Sequence, residues 1–191
     1  MKISFDTINV VDIEATCWRG KPPEGMTEEI IEVGICEVSV KSKKIKEKES
    51  IIIKPERSII SEFCTKLTGL TQEQVDKGIS YYEACARVTV NYSAMRRIWV
   101  SWGEYDRLMF LRRPSTYPFS DSHINLKNWF SLAHGLSKSM GLYGALNYLK
   151  IEPEGKHHSG ADDAVNTAKI LITLLGEKTE EPRISPMING D

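Results

Sequence analysis

Two apolar rhythms alternate along this chain. Residues 8–13 and 30–40 are rich in β-branched side chains, the second run with partial alternation, and both predict strands. The segment ESIIIK, 49–54, stops at Pro55 and predicts a third strand. WRGKPPEGMTE separates the first two as a loop, and the short connections point to an antiparallel meander.

Past Pro55 the period lengthens. SEFCTKLTGLTQEQVDKG predicts two short helices, the second opened by Thr71 as N-cap with Gln74 three residues on. A longer helix is expected over 82–97, packed on the sheet through Ala86, Val90 and Ala94. IWVSW, 98–102, predicts a short buried strand; Gly103 breaks it, and a helix starts near Tyr105 and Asp106. HINLKNWFSL has the pattern of a brief strand entering a helix, and 141–149 and 161–175 are predicted helices, the latter ended by Gly176. EKTEEPRISPMINGD, 177–191, is polar and aperiodic and predicts a surface tail behind one domain over 1–176. The order implies an α/β layer built on a mixed sheet.

Composition narrows the class without naming a function. The chain has 191 residues, 41% hydrophobic and 27% charged, which suits one well-cored globular domain. No run approaches a membrane span, and the start lacks the pattern of a secretory signal because Asp12 and Glu14 interrupt its apolar stretch, so the expected compartment is the cytoplasm. Cys17, Cys36, Cys64 and Cys85 are scattered singly, as reduced thiols are. A net charge of -1 argues against coating nucleic acid by bulk electrostatics. It leaves room for an enzyme that meets phosphates through divalent ions held in an acidic site.

Three places carry candidate chemistry. On a strand, Asp12 and Glu14 point to the same face, where burial and like charge both oppose ionisation, and a hard divalent cation resolves the conflict. A strand face open to water would resolve it too. Asp106 ends VSWGEYD, where Gly103 lets the backbone turn an acid over the sheet edge; alone, such a residue is more often a cap. In HHSGADDAVNTA, Asp163 is borne by a helix and His158 by the loop before it, so the acid is fixed and the base mobile. The same Asp162–Asp163 pair also suits a helix N-terminus on dipole grounds alone.

Taken in order, these motifs resemble the DEDDh exonucleases of the RNase H-like superfamily. ATCW, EEIIEVG, FCTKLTGLTQEQVDKG, SWGEYD and HHSGADDAVNTA look most like the Eri-type branch, which includes the histone-mRNA 3′-end exonuclease and sporulation-inhibitor relatives. The resemblance covers about residues 5–176. It implies a three-layer fold with a central mixed five-stranded sheet flanked by helices. It also implies two divalent ions, Mg²⁺ or Mn²⁺, held by Asp12, Glu14, Asp106 and Asp163, with His158 as general base. Phe63, Leu67 and Tyr105, with Ala15 and Thr16, would form the pocket for terminal nucleotides, and Trp18 is a weaker candidate. His157 matches no required position. The expected activity is 3′–5′ hydrolysis of single-stranded RNA or DNA ends, RNA favoured, to nucleoside 5′-monophosphates. A DNA proofreading-type or oligoribonuclease-type enzyme, or a non-catalytic binding module, remains an alternative.

Overall fold

The computed structural model describes residues 2–176; the expected tail, 177–191, lies outside the described residues. Its centre is a five-stranded sheet. The strands β1 (Ser4–Ala15), β2 (Ile30–Ser39) and β3 (Lys44–Ile52) form the antiparallel meander, and β4 (Arg97–Ser101) and β5 (His123–Asn125) extend it in the spatial order β3-β2-β1-β4-β5. Both later pairings, β1 with β4 and β4 with β5, are parallel, so the sheet is mixed as expected. β1 is central and flanked on both sides.

The helices are α1 (Glu62–Thr68), α2 (Gln72–Asp76), α3 (Tyr81–Asn91), α4 (Tyr105–Leu111), α5 (Leu126–Ala133), α6 (Leu142–Tyr148) and α7 (Gly160–Gly176). They cover both faces, and the two-residue period of β1 sorts its side chains between them. Val11, Ile13 and Ala15 enter a core with α3 residues Ala84, Cys85 and Val88 and with Trp99, Phe110 and Phe119. Ile8 and Val10 enter the other, against α5, α6 and α7. Asp12 and Glu14, in the same register as Ile8 and Val10, therefore belong to the α7 side. Among the described residues, no helix is long and apolar enough to cross a membrane.

Two predicted elements need correction. The third strand starts at Lys44, five residues before the predicted 49, because Lys43 turns the chain with a φ of 52° and donates its N–H to the Ser39 carbonyl at 2.8 Å. The strand's first half is an edge of alternating charged residues with little apolar signal. The helix expected over 82–97 is α3 alone, and a 3₁₀ turn at Ala94–Arg96 follows it. Ala86 and Val90 face solvent, and the buried stripe is Tyr81, Ala84, Cys85 and Val88. A capping box sets that register: Ser80 accepts from the Glu83 N–H, and the Glu83 carboxylate accepts from the Ser80 N–H. Thr71 and Gln74 form the expected box on α2.

Candidate active site

The strand that carries Asp12 and Glu14 is held against β2 so that Asp12 lies opposite Gly34 and Glu14 opposite Glu32. Gly34 admits the N-terminal turn of α7. A Cβ on Gly34 would sit 1.8 Å from the Gly160 carbonyl carbon, and one on Gly160 would lie 3.2 Å from the Asp12 carbonyl oxygen. The backbones of sheet and helix therefore meet at two glycines, and Asp163, one turn on, is delivered to the two strand acids. Ligand oxygens of Asp12, Glu14 and Asp163 all lie within 4.8 Å of one another.

Glu32 fixes that docking. It is 3% exposed, and its carboxylate accepts from Ser50 Oγ at 2.7 Å, from Gly160 N at 3.0 Å and from Ala161 N at 3.4 Å. A buried acid thus serves the first turn of α7, where peptide N–H groups have no helical partner and the macrodipole is positive. The sequence reading missed it. An acid inside the apolar run IIEVGI, in the register that faces α7, is the signal that marks it.

Asp106 arrives from α4. Its side chain is buried, and its Oδ1 accepts from the Ile13 N–H at 3.0 Å, in the middle of the strand segment between the first two acids. The two aspartates at the start of α7 separate by role. Asp162 turns outward to accept from Lys156 N at 2.9 Å and to pair with Lys48 at 3.1 Å. Asp163 turns inward: its Oδ2 accepts from His158 N at 2.9 Å, while its Oδ1 is buried without a hydrogen-bond partner of good geometry among the described residues.

The electrostatics of the cluster are those of carboxyls crowded together away from water. Burial, then Asp106, Glu14 and Asp163, raises the Asp12 pKa well above the usual carboxylate range. Burial, then Glu32 and Asp163, pushes Glu14 up to about 8. Asp106 rises to about 6, chiefly by burial, with the Ile13 N–H pulling the other way. An all-oxygen donor set and buried carboxyls that resist ionisation together fit a hard divalent cation. His158 stands at the mouth, in the left-handed region at φ 62°, with Nδ1 4.0 Å from Glu14 Oε1. Burial, then the neighbouring His157, lowers its pKa, so the ring is neutral and able to accept a proton near pH 7.

These side chains line a pocket of about 380 Å³. Ala15, Leu67, Tyr105 and Trp102 form its apolar walls. Of the residues expected to meet nucleotides, Ala15, Leu67 and Tyr105 are brought together there. Phe63 is half-buried one turn before Leu67 and outside the lining, and Thr16 is fully buried, its hydroxyl donating to the Thr27 carbonyl and accepting from Glu29 N. Trp18 also stays outside the lining. His157, expected to be a bystander, is inside it, with Nδ1 3.1 Å from Asp163 Oδ2.

Comparison with known proteins places this geometry in context. The family model RNase_T, described as exonuclease, matches residues 10–171. Human 3′-5′ exoribonuclease 1 is 28% identical over 191 aligned residues, covering 92% of this chain and 54% of that protein. Zebrafish ERI1 exoribonuclease 2 is 31% identical, covering 97% of this chain and 38% of that protein. The chain thus spans about half or less of the length of these curated relatives. The crystal structure of the nuclease domain of 3′hExo, a DEDDh family member bound to rAMP, superposes with a TM-score of 0.80 at 26% identity, covering 92% of this chain and 94% of that one.

Proposed function

From the premise that the chain belongs to the exonuclease family, in its DEDDh branch within the RNase H-like superfamily, we propose that it is a metal-dependent 3′–5′ exonuclease acting on single-stranded RNA ends. The observation that carries this reading is the convergence of Asp12, Glu14, Asp106 and Asp163 with His158 in one pocket. RNA is favoured because the similar proteins are exoribonucleases and the similar nuclease domain was crystallised with rAMP.

Asp12, Glu14 and Asp163 would hold one divalent ion, Mg²⁺ or Mn²⁺, and Asp106 with Asp12 a second. Such ions supply Lewis acidity and cancel charge on the scissile phosphate. The protein's residues do the rest. His158 takes a proton from the attacking water at a ring nitrogen, which its lowered pKa leaves free to accept. Asp163 accepts from the His158 N–H and so ties the base to the acids. Leu67, Tyr105 and Ala15 offer apolar surface to the terminal bases, a sequence-tolerant form of recognition. The product is a nucleoside 5′-monophosphate. Four free cysteines, three of them buried, support residence in a reducing compartment such as the cytoplasm.

The test is a time course on matched 3′-single-stranded RNA and DNA with Mg²⁺ or Mn²⁺. Stepwise shortening of RNA to 5′-monophosphates is expected, faster than for DNA. His158→Ala should slow cleavage about a hundredfold or more while leaving metal binding in place. Binding of RNA without shortening would instead make the chain an end-binding module.

A further inference from the structure

His157 Nδ1 and Asp163 Oδ2 stand 3.1 Å apart, and the His158 N–H is directed at both atoms, at 3.1 and 2.9 Å. Nδ1 and a carboxylate oxygen stand this close either because a protonated Nδ1 donates to Asp163, leaving the His158 N–H to Asp163 alone, or because Nδ1 is an acceptor and a cation lies between the two. The other oxygen of Asp163 is buried without a hydrogen bond of good geometry among the described residues, with the Tyr143 hydroxyl as its neighbour, and the residue as a whole is 4% exposed. Donor atoms of His157, His158 and Asp163 all lie within 4.8 Å of one another. Asp163 therefore belongs to two donor sets at once, an all-oxygen set with Asp12 and Glu14 and a nitrogen-rich set with the two histidines.

These sets differ in what they select. Carboxylates suit Mg²⁺ and Mn²⁺, whereas imidazole favours Zn²⁺ and its neighbours in the first transition row. We propose that His157, His158 and Asp163 form a second, zinc-selective site whose occupation blocks the exonuclease by taking both the base and a ligand of the oxygen site. Three protein ligands leave the fourth tetrahedral position to water. The two imidazoles now stack, with centroids 3.8 Å apart and planes 16° from parallel, so one ring must turn to share an ion. His157 is braced against Tyr143, with centroids 3.9 Å apart, so His158 is the ring that turns. In doing so it leaves the position over Glu14 from which it reaches the water. The blocking half of this proposal rests on the exonuclease reading, and the binding half does not.

The test titrates ZnCl₂ into the full chain by calorimetry in a large excess of Mg²⁺, with Co²⁺ as a visible-absorption probe and Zn²⁺ inhibition of RNA cleavage as the parallel readout. One Zn²⁺ per chain is expected, with Co²⁺ bands of a four-coordinate nitrogen-containing site. His157→Phe, which keeps a ring against Tyr143, and His157→Gln should each weaken Zn²⁺ binding by about tenfold or more. Each should raise the half-inhibiting Zn²⁺ concentration by the same factor, measured against that variant's own zinc-free rate. No Zn²⁺ bound in Mg²⁺ excess, a six-coordinate Co²⁺ spectrum, or affinity unchanged in both folded variants overturns the site. Zinc binding that depends on His157 but leaves cleavage untouched overturns the block. The same binding in a chain that cuts no RNA keeps the site and removes the exonuclease reading.

Discussion

Burial and neighbouring like charges oppose ionisation of Asp12 and Glu14, and this inverts the usual effect of mutation there. Asp12→Asn removes one of several buried like charges while keeping the side chain's shape. We expect cleavage to be lost and the metal-free protein to gain about 1 kcal/mol, read from urea melts in chelator. Glu32 differs because its charge repels Glu14 while its oxygens hold α7. The hydrogen bonds outweigh the repulsion, since burying unpaired N–H groups costs more than a screened like-charge contact. Glu32→Ala should therefore cost about 3 kcal/mol. Glu32→Gln, which keeps an acceptor for Gly160 N and a partner for Ser50, should fold nearly as stably as the parent, and equal losses in the two variants would sink this division of roles.

Among the elements, the contact of β2 with α7 decides whether a site exists. Gly34→Ala drives a methyl into the Gly160 backbone, where no flexible side chain can yield, and α7 must lift. A loss of about 3 kcal/mol is expected, with Mg²⁺ affinity falling in parallel; a variant that binds Mg²⁺ like the parent would show that Asp163 is placed some other way. The same contact explains what the sequence made legible. The strand acids and the histidine loop were visible through strand periodicity and motif order. Glu32 and the paired glycines were not, because their meaning is a close approach between segments more than a hundred residues apart. Local capping chemistry overrode the apolar pattern in α3, since Ala86 and Val90 carry little of the burial that sets a register. The polar edge of β3 was hidden for a similar reason, as it exchanges hydrophobic signal for charge.

For the whole molecule, the displaced pKa values make stability depend on pH through the acid cluster, with one buried histidine acting against it. Glu14 at about 8 and Asp106 at about 6 lie above their unfolded values, so between the usual carboxylate range and about pH 8 the native state binds more protons than the unfolded one. Stability of the metal-free protein must then fall as pH rises through that window. Divalent metal competes for the same oxygens, so the rise in Tm on adding Mg²⁺ should be larger at pH 8 than at pH 6, measured by scanning calorimetry. A metal increment independent of pH would contradict the acid cluster as the metal site. On the acid side, burial lowers His123 to about 4, where its Nε2 lies 2.9 Å from Ser101 Oγ. Its folded pKa is depressed, so this one group binds more protons in the unfolded state between about 4 and 6.5, and its contribution partly offsets the stability that the raised carboxyls gain as pH falls through that range.

The chain positions of the acids carry one more consequence. Asp12 sits near the start of the described chain on the central strand, and Asp163 sits on its last helix, docked onto that same strand. During synthesis, the first ligands leave the ribosome long before the helix that completes them. A nascent chain therefore carries an incomplete acid cluster until the segment bearing Asp163 has been made, and the order of residues ties completion of the proposed site to the docking of α7 on β1 and β2.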